Sequence, residues 1–200
     1  MISTLYSVPR IAGRRIGLFG GSFNPAHAGH VALSEEALKR LQLDEVWWLV
    51  SPQNPLKPTD GTADFNERLA HARALAAHPR MWVTGLEARL GTRTTAQTFE
   101  ALGPMFELGH FVWIMGADSF AGLHHWNEWR EIPATLPLAV FDRPGWSLKA
   151  LGSPTARLLQ RYRLDSCDAP LLASTRAPAW VFLNMPLRYE SSTAIRATRS

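Results

Sequence analysis

The feature that most constrains how this chain folds is an alternation of short apolar runs with stretches of helical spacing. Arg15 to Gly20, Val46 to Ser51, Met81 to Thr84, His110 to Met115, Leu136 to Phe141 and Trp180 to Leu183 each read as a strand. The second and fourth are apolar almost throughout, the pattern of strands covered on both faces. Helices are predicted over Ala28 to Gln42, where Val31, Leu33, Ala37, Leu38 and Leu41 recur at near-helical spacing, over Asn66 to Ala77, and within Thr94 to Leu108. Arg143-Pro144-Gly145 and Ala177-Pro178 read as turns. Strands alternating with helices specify βαβ units. Five or six of them make one doubly wound, mostly parallel sheet with helices on both faces, a Rossmann-like α/β architecture. In such sheets ligands bind beyond the carboxyl ends of the strands.

At 200 residues and 22.3 kDa the chain is long enough to bury a core without disulfide or metal staples. A single domain is expected over residues 1–200, with 1–14 a flexible N-terminal extension. Hydrophobic residues at 46% and charged residues at 19% exclude an intrinsically disordered chain. The longest apolar runs, Val46 to Val50 and Phe111 to Met115 among them, are five residues each, far short of the roughly 20 that a membrane-spanning helix needs. The N-terminus lacks the basic and apolar regions of a secretory signal. Cys167 is the only cysteine, which excludes an intramolecular disulfide and a cysteine-based zinc cluster. The expected setting is cytoplasmic. Lys plus Arg total 21 against 17 acids, a net charge of +4. That balance suits an anionic small substrate, or is simply a solvated basic surface. The basic residues cluster no further than pairs such as Arg14-Arg15, so neither nucleic acid nor membrane is an expected partner. The oligomeric state stays open, a homodimer included.

The densest chemical signal is Gly20-Gly21-Ser22-Phe23-Asn24-Pro25-Ala26-His27-Ala28-Gly29-His30, between the first strand and the first helix. Paired glycines let a backbone approach a phosphate closely and take dihedrals closed to other residues. The helix start supplies amide N–H groups and the positive end of a dipole. His27 and His30, three apart, share one face of the first turn. Two imidazoles there can donate hydrogen bonds to phosphoryl oxygens as charge develops. A metal pair is the alternative, but Glu35 and Glu36 lie a turn or more further on. Asp118, in Gly116-Ala117-Asp118-Ser119 at the end of the fourth strand, can accept from ribose hydroxyls or cap the next helix. Ser51 to Gly61 holds three prolines and a glycine, a long connection of the kind that often carries function. Its Lys57, and Arg143, read either as solvated cations or as phosphate ligands. Trp126 reads as core or as a stacking surface, Trp129 as packing, and His124 and His125 as loop residues.

The blocks together resemble a family. G-G-S-F-N-P-x-H-x-G-H resembles the signature of the nucleotidyltransferase branch of the H-x-G-H superfamily. The chain is most similar to its bacterial nicotinate-nucleotide adenylyltransferases. Trp48 to Lys57 resembles their second strand and lysine-bearing loop, and Thr94-Thr95-Ala96-Gln97-Thr98 their T-A-x-T element. Gly116 to Ser119 resembles G-x-D-S, His125 to Trp129 the W-x-x-W stretch, Arg143-Pro144-Gly145 their R-P-G, and Ser191 to Arg196 their S-S-T-x-I-R. Other nucleotidyltransferases share the first motif; the ordered set, spanning residues 16 to 196, is specific to this family.

The resemblance implies the nucleotidylyltransferase fold and an enzyme of NAD biosynthesis. It would move AMP from ATP to nicotinate mononucleotide, giving nicotinate adenine dinucleotide and pyrophosphate, with Mg2+ accompanying ATP. The acceptor phosphate attacks the α-phosphorus directly, so positioning and charge neutralisation supply most of the rate. His27 and His30 are implied to be catalytic. Gly20, Gly21, Ser22, Phe23, Gly116 and Asp118 are implied to bind ATP. Ser191, Ser192 and Thr193 would hold its β/γ end, and Arg196 would clamp phosphate. Asn54, Lys57, Thr95, Trp126, Asn127 and Arg143 are implied to bind the acceptor, Thr95 at the nicotinate carboxylate and Trp126 on its ring. No protein metal ligand is expected, because triphosphate oxygens and water suffice for Mg2+.

Three departures stand out. Glu190 occupies a position usually apolar in the family, Asn127 one that is often aromatic, and the chain ends four residues after Arg196, where relatives usually continue. They are expected to weaken triphosphate binding or loosen the acceptor pocket. Three other readings compete. A phosphopantetheine or cytidylyl transferase of the same fold is opposed by the Thr95, Trp126 and proline-loop blocks. A non-catalytic nucleotide sensor is favoured only by the short C-terminus. A class I aminoacyl-tRNA synthetase fragment lacks its K-M-S-K-S-like motif here.

Overall fold

The computed structural model describes residues 10–52, 62–186, 190 and 192–197, apart from the side chains of Thr193 and Ala194. The strands are β1 (Arg15–Gly21), β2 (Glu45–Val50), β3 (Met81–Thr84), β4 (His110–Gly116), β5 (Leu138–Phe141), β6 (Arg163–Leu164) and β7 (Trp180–Leu183). They form a 7-stranded sheet in the order β3-β2-β1-β4-β5-β7-β6. Every pairing is parallel, with Gly20 opposite Leu49 of β2 and Phe19 opposite Ile114 of β4. Winding proceeds from β1 toward β3, then reverses to the other side of β1 with β4. The crevice of a doubly wound sheet therefore opens beyond the carboxyl ends of β1 and β4.

Successive strand residues face opposite sides, and β2 shows the consequence. Trp48 joins one core layer, with Leu33, Ala37 and Leu38 of α1 (Ala28–Arg40), Leu41 just past its end, and Ala72 of α2 (Phe65–Leu75). Trp47 joins the other, with Leu86 of α3 (Leu86–Leu90) and Phe99, Leu102 and Met105 of α4 (Thr95–Phe106). The second layer is extended by α5 (Ala117–Ala121), α6 (Glu131–Thr135), α7 (Ser147–Leu151) and α8 (Pro154–Leu158). A buried indole N–H needs a partner. Trp48 Nε1 donates to Ser34 Oγ at 2.8 Å, fastening α1 to β2. The chain closes with α9 (Ser192–Ala197). Among the described residues no helix is long and apolar enough to cross a membrane.

The expected α/β sheet is present, with differences that have local causes. The fifth strand starts at Leu138 rather than Leu136, because Pro137 has no N–H; its carbonyl accepts from the Trp113 N–H at 2.9 Å. The seventh strand, β6, was not expected. Its two residues are too few for an alternation to show, and β6 exists by pairing with β7 at the sheet edge. Of the expected N-terminal extension, residues 10–14 are described. Ile11 is buried, and the Gly13 N–H donates to the Leu108 carbonyl at 2.9 Å. Residues 1–9 lie outside the described residues, as does most of the proline-rich loop, 53–61.

Candidate active site

Gly20, at the end of β1, has a packing role that its place in the motif does not show. Gly20 and Gly21 are still strand residues, and neither takes a positive φ. A Cβ on Gly20 would overlap the Trp113 indole of the neighbouring strand, with Cζ2 at 2.9 Å. Gly20 is required by packing across β1 and β4. Gly20→Ala is therefore expected to cost about 1–3 kcal/mol through overpacking, despite the entropy an alanine removes from the unfolded chain. A urea titration checks this, and an unchanged midpoint would contradict it. The left-handed backbone falls instead on Phe23, at φ 45°. Its ring is buried and stacks on Trp48 with centroids 4.8 Å apart and planes 5° apart. The Phe23 side chain is thus an anchor for the turn, committed to the core and not presented to a ligand.

His27 is the N-cap of α1 and His30 lies in its first turn, which contains no acidic side chain to neutralise the dipole. Their ring centroids are 3.8 Å apart. His30 Nδ1 accepts from the His27 backbone N–H at 3.1 Å. An accepting Nδ1 leaves the proton of the neutral ring on Nε2, so His30 offers Nε2–H as a donor. His27 is buried, and its Nδ1 has no hydrogen-bond partner. Burial, with the Arg143 charge added, pushes the His27 pKa down to about 4, against Glu190 and Asp118, which raise it. Burial lowers His30 well below its usual value, helped by His27 and Arg143. Both rings are neutral donors at neutral pH. The stability that neutral His27 contributes is present above the unfolded pKa near 6.5 and is lost as the pH falls toward 4.

The same electrostatic neighbourhood contains three of the predicted or remarked residues. Gly116, not Asp118, is the N-cap of α5, so Asp118 does not cap that helix. Its side chain is 43% exposed, free to meet a ligand, and its Oδ1 lies 3.8 Å from Arg143 Nε. That Nε is buried and otherwise unpartnered. A Cβ on Gly116 would overlap Asp118 Oδ1, so the glycine makes room for this pair. Glu190, the departure before the last helix, does lie close enough to act on His27.

Helix α9 docks on the turn between β1 and α1. Ser192 Oγ donates to the Pro25 carbonyl at 2.9 Å, and Arg196 donates to the Asn24 carbonyl at 2.5 Å. Residues more than 160 positions apart thus meet. One amino group of Arg196 is engaged with the protein itself. Ser191 and the side chain of Thr193 lie outside the description.

Of the acceptor residues, Asn54 and Lys57 lie outside the described residues. Thr95 opens α4, half-buried, after Thr94 caps it by accepting from the Gln97 N–H at 3.2 Å. Trp126 follows α5; it is half-buried, with part of its ring on the second core layer, and Asn127 beside it is exposed. The core and stacking readings of Trp126 are therefore compatible. Trp129 packs on the same layer, as expected, with the Arg130 guanidinium 4.8 Å from its ring centroid.

Two residues that the sequence did not single out organise this end of the sheet. Arg68, on α2, is 3% exposed. Its guanidinium donates to the carbonyls of Ala63 (3.0 Å), Ser22 (2.5 Å), Ser51 (2.8 Å) and Pro52 (2.8 Å). It ties the turn after β1 to the loop after β2. Glu87, on α3, is buried against Thr98 and Ser51. An arginine and a glutamate on ordinary helical stretches give no local sign of either role.

Known proteins resemble this chain in sequence and in fold. The sequence pattern described as cytidylyltransferase-like matches residues 18–198. A protein of Roseobacter denitrificans named probable nicotinate-nucleotide adenylyltransferase is 51% identical over 186 residues, covering 93% of each chain. One of the same name from Cereibacter sphaeroides is 55% identical over 183 residues, 92% of this chain and 97% of that one. Plasmodium falciparum nicotinic acid mononucleotide adenylyltransferase complexed with NaAD has the same fold, with a TM-score of 0.70 at 14% identity over 92% of this chain and 83% of that one. With nearly its whole length matched by that pattern and by relatives about half identical to it, the chain belongs to the cytidylyltransferase-like family, in the branch of the nicotinate-nucleotide adenylyltransferases.

Proposed function

We propose that this chain transfers AMP from ATP to nicotinate mononucleotide, a step in NAD biosynthesis, within the cytoplasm. The observation that carries the reading is the pair of neutral imidazoles at the start of α1, beside Arg143 and beneath α9. The triphosphate lies over the opening amides of α1, with Gly21 and Ser22 below it and Ser191, Ser192, Thr193 and Arg196 at its β/γ end. Asp118 accepts from a ribose hydroxyl. The acceptor sits against Thr95, Trp126 and Asn127, with Asn54 and Lys57 supplied by the loop after β2.

A phosphate oxygen of the acceptor bonds to the α-phosphorus as the bond from that phosphorus to pyrophosphate breaks, and no enzyme intermediate forms. Nε2–H of His30 and the His27 ring meet the oxygens that gain charge, and Arg143 adds a fixed cation. Neutral imidazoles suit this task, since they donate without a proton having to move. Magnesium enters with ATP as part of the substrate. Its ligands there would be phosphate oxygens and water.

The acid is the expected acceptor, in preference to nicotinamide mononucleotide. A hydroxyl and amide N–H groups around Thr95 make charge-assisted bonds to a carboxylate. The carboxamide would turn an NH2 toward those donors and leave buried groups unpaired at about 1–3 kcal/mol each. Two mismatches correspond to about 30-fold to 10⁴-fold in kcat/KM. Purified protein with ATP and magnesium, offered each mononucleotide in turn, tests this through dinucleotide and pyrophosphate release. Equal kcat/KM values, or a preference for the amide, would overturn it.

A further inference from the structure

Glu87 is an enclosed carboxyl with no part in the chemistry just described. It is 7% exposed, on the first turn of α3. Thr98 Oγ1 is 3.3 Å from its Oε1, and the Ser51 side chain hydrogen-bonds to it as well. The hydroxyl of Thr98 carries one proton but faces two acceptors, Glu87 Oε1 and the Thr94 carbonyl at 3.1 Å, besides the Thr92 hydroxyl at 2.9 Å, with which either oxygen can donate. A protonated Glu87 supplies the missing donor. Its O–H can donate to Thr98 Oγ1 while Thr98 donates onward to the Thr94 carbonyl. Ser51 ends β2 and starts the proline-rich loop. Thr98 lies three residues along α4 from Thr95, about 4.5 Å of helical rise.

Resting on the acceptor reading above, we propose that Glu87 is a positioning residue that sets acceptor specificity. Its carboxyl ties the loop after β2 to the start of α4, and its protonated form leaves the carboxylate-reading end of α4 without a competing negative charge. Burial pushes this carboxyl up to about 7, against the hydrogen bonds from Thr98 and Ser51, which lower it. The groups packed on it from other elements are hydroxyls. Arg93 before α4, Glu100 on α4 and Arg89 on its own helix are exposed, and Arg68 of α2 holds the Ser51 carbonyl.

Ionisation of Glu87 should therefore weaken binding of the acid and leave the amide little affected. The test is kcat/KM for nicotinate and nicotinamide mononucleotides from pH 6 to 8.5, in the wild type and in Glu87→Gln. Both acceptors carry the same ribose phosphate, so their ratio cancels its titration and that of the ATP site. The acid-over-amide ratio of the wild type is expected to fall about tenfold through pH 7, the effect of one charge roughly 10 Å away in a protein interior. Glu87→Gln, which keeps the tie but cannot ionise, should give a flat ratio, and Thr98→Ser should keep the slope. A wild-type ratio above one that does not change with pH overturns this inference alone, with no variant needed. A Glu87→Gln profile that still follows the wild type also overturns it, and a ratio of one at every pH overturns both readings.

Discussion

Alanine in place of His27 or His30 is expected to lower kcat by about 10²-fold or more, as loss of one preorganised oxyanion donor does elsewhere. The two rings sit 3.8 Å apart at an unneutralised helix start, and burial keeps both uncharged. Their donors are aimed before substrate arrives, so they act most strongly on the charge that grows in the transition state. KM for ATP should move far less than kcat. Steady-state kinetics on each variant decides this, and a near-wild-type kcat in both would remove them from catalysis. The variants differ in their structural cost. His30→Ala gives up the acceptor for the His27 N–H, whereas His27→Ala vacates a buried ring with an unpartnered Nδ1.

Arg68→Met should cost about 3 kcal/mol or more, because four carbonyls lose one donor group and a buried unpaired acceptor costs about 1–3 kcal/mol. Water reaching the loop after β2 will offset part of the sum. In thermal unfolding that is a fall of about 6–12 °C for a chain of this size. Arg68→Lys keeps the charge but not the planar fork, so it should recover only part of the loss. The Ser22 carbonyl lies on the turn before α1 and those of Ser51 and Pro52 on the acceptor side. The surviving folded Arg68→Lys enzyme should therefore show raised KM for both substrates. An unchanged melting temperature in Arg68→Met would show that the four bonds are not a support.

Much of the fold was legible because its signals are local. Helix α1 shows at Val31, Leu33, Ala37 and Leu38, all buried but Val31, which is partly so, and at Leu41, buried just past its end. Strand β2 shows as a run of apolar residues, and both faces of it are indeed covered. Where only two residues form a strand, as in β6, there is no period to detect. The site was legible to the extent that its motifs mark the ends of elements: His27 and His30 at the start of α1, Asp118 at the start of α5, Thr95 at the start of α4. The reasons attached to some residues were not. Gly20 also makes space for Trp113, a role the sequence could not show because the indole comes from β4, some ninety positions away. Phe23 looked like part of a nucleotide loop, and its ring is stacked on Trp48.

The sequence by itself determined the alternation of strands and helices, the carboxyl edge of the sheet as the place for ligands, and the ordered motifs that mark the branch of the family. These depend on residues within a few positions of one another, where spacing and turn chemistry act directly. Only the tertiary structure decided that Arg143, Asp118 and Glu190 share the field of the two imidazoles, that α9 locks onto Asn24 and Pro25, and that Arg68 and Glu87 brace the loops around the site. Charge and burial at those positions come from segments distant in the chain. Whether a guanidinium or a carboxyl is solvated on a helix or enclosed between strand ends depends on what packs over it, and no local pattern carries that information.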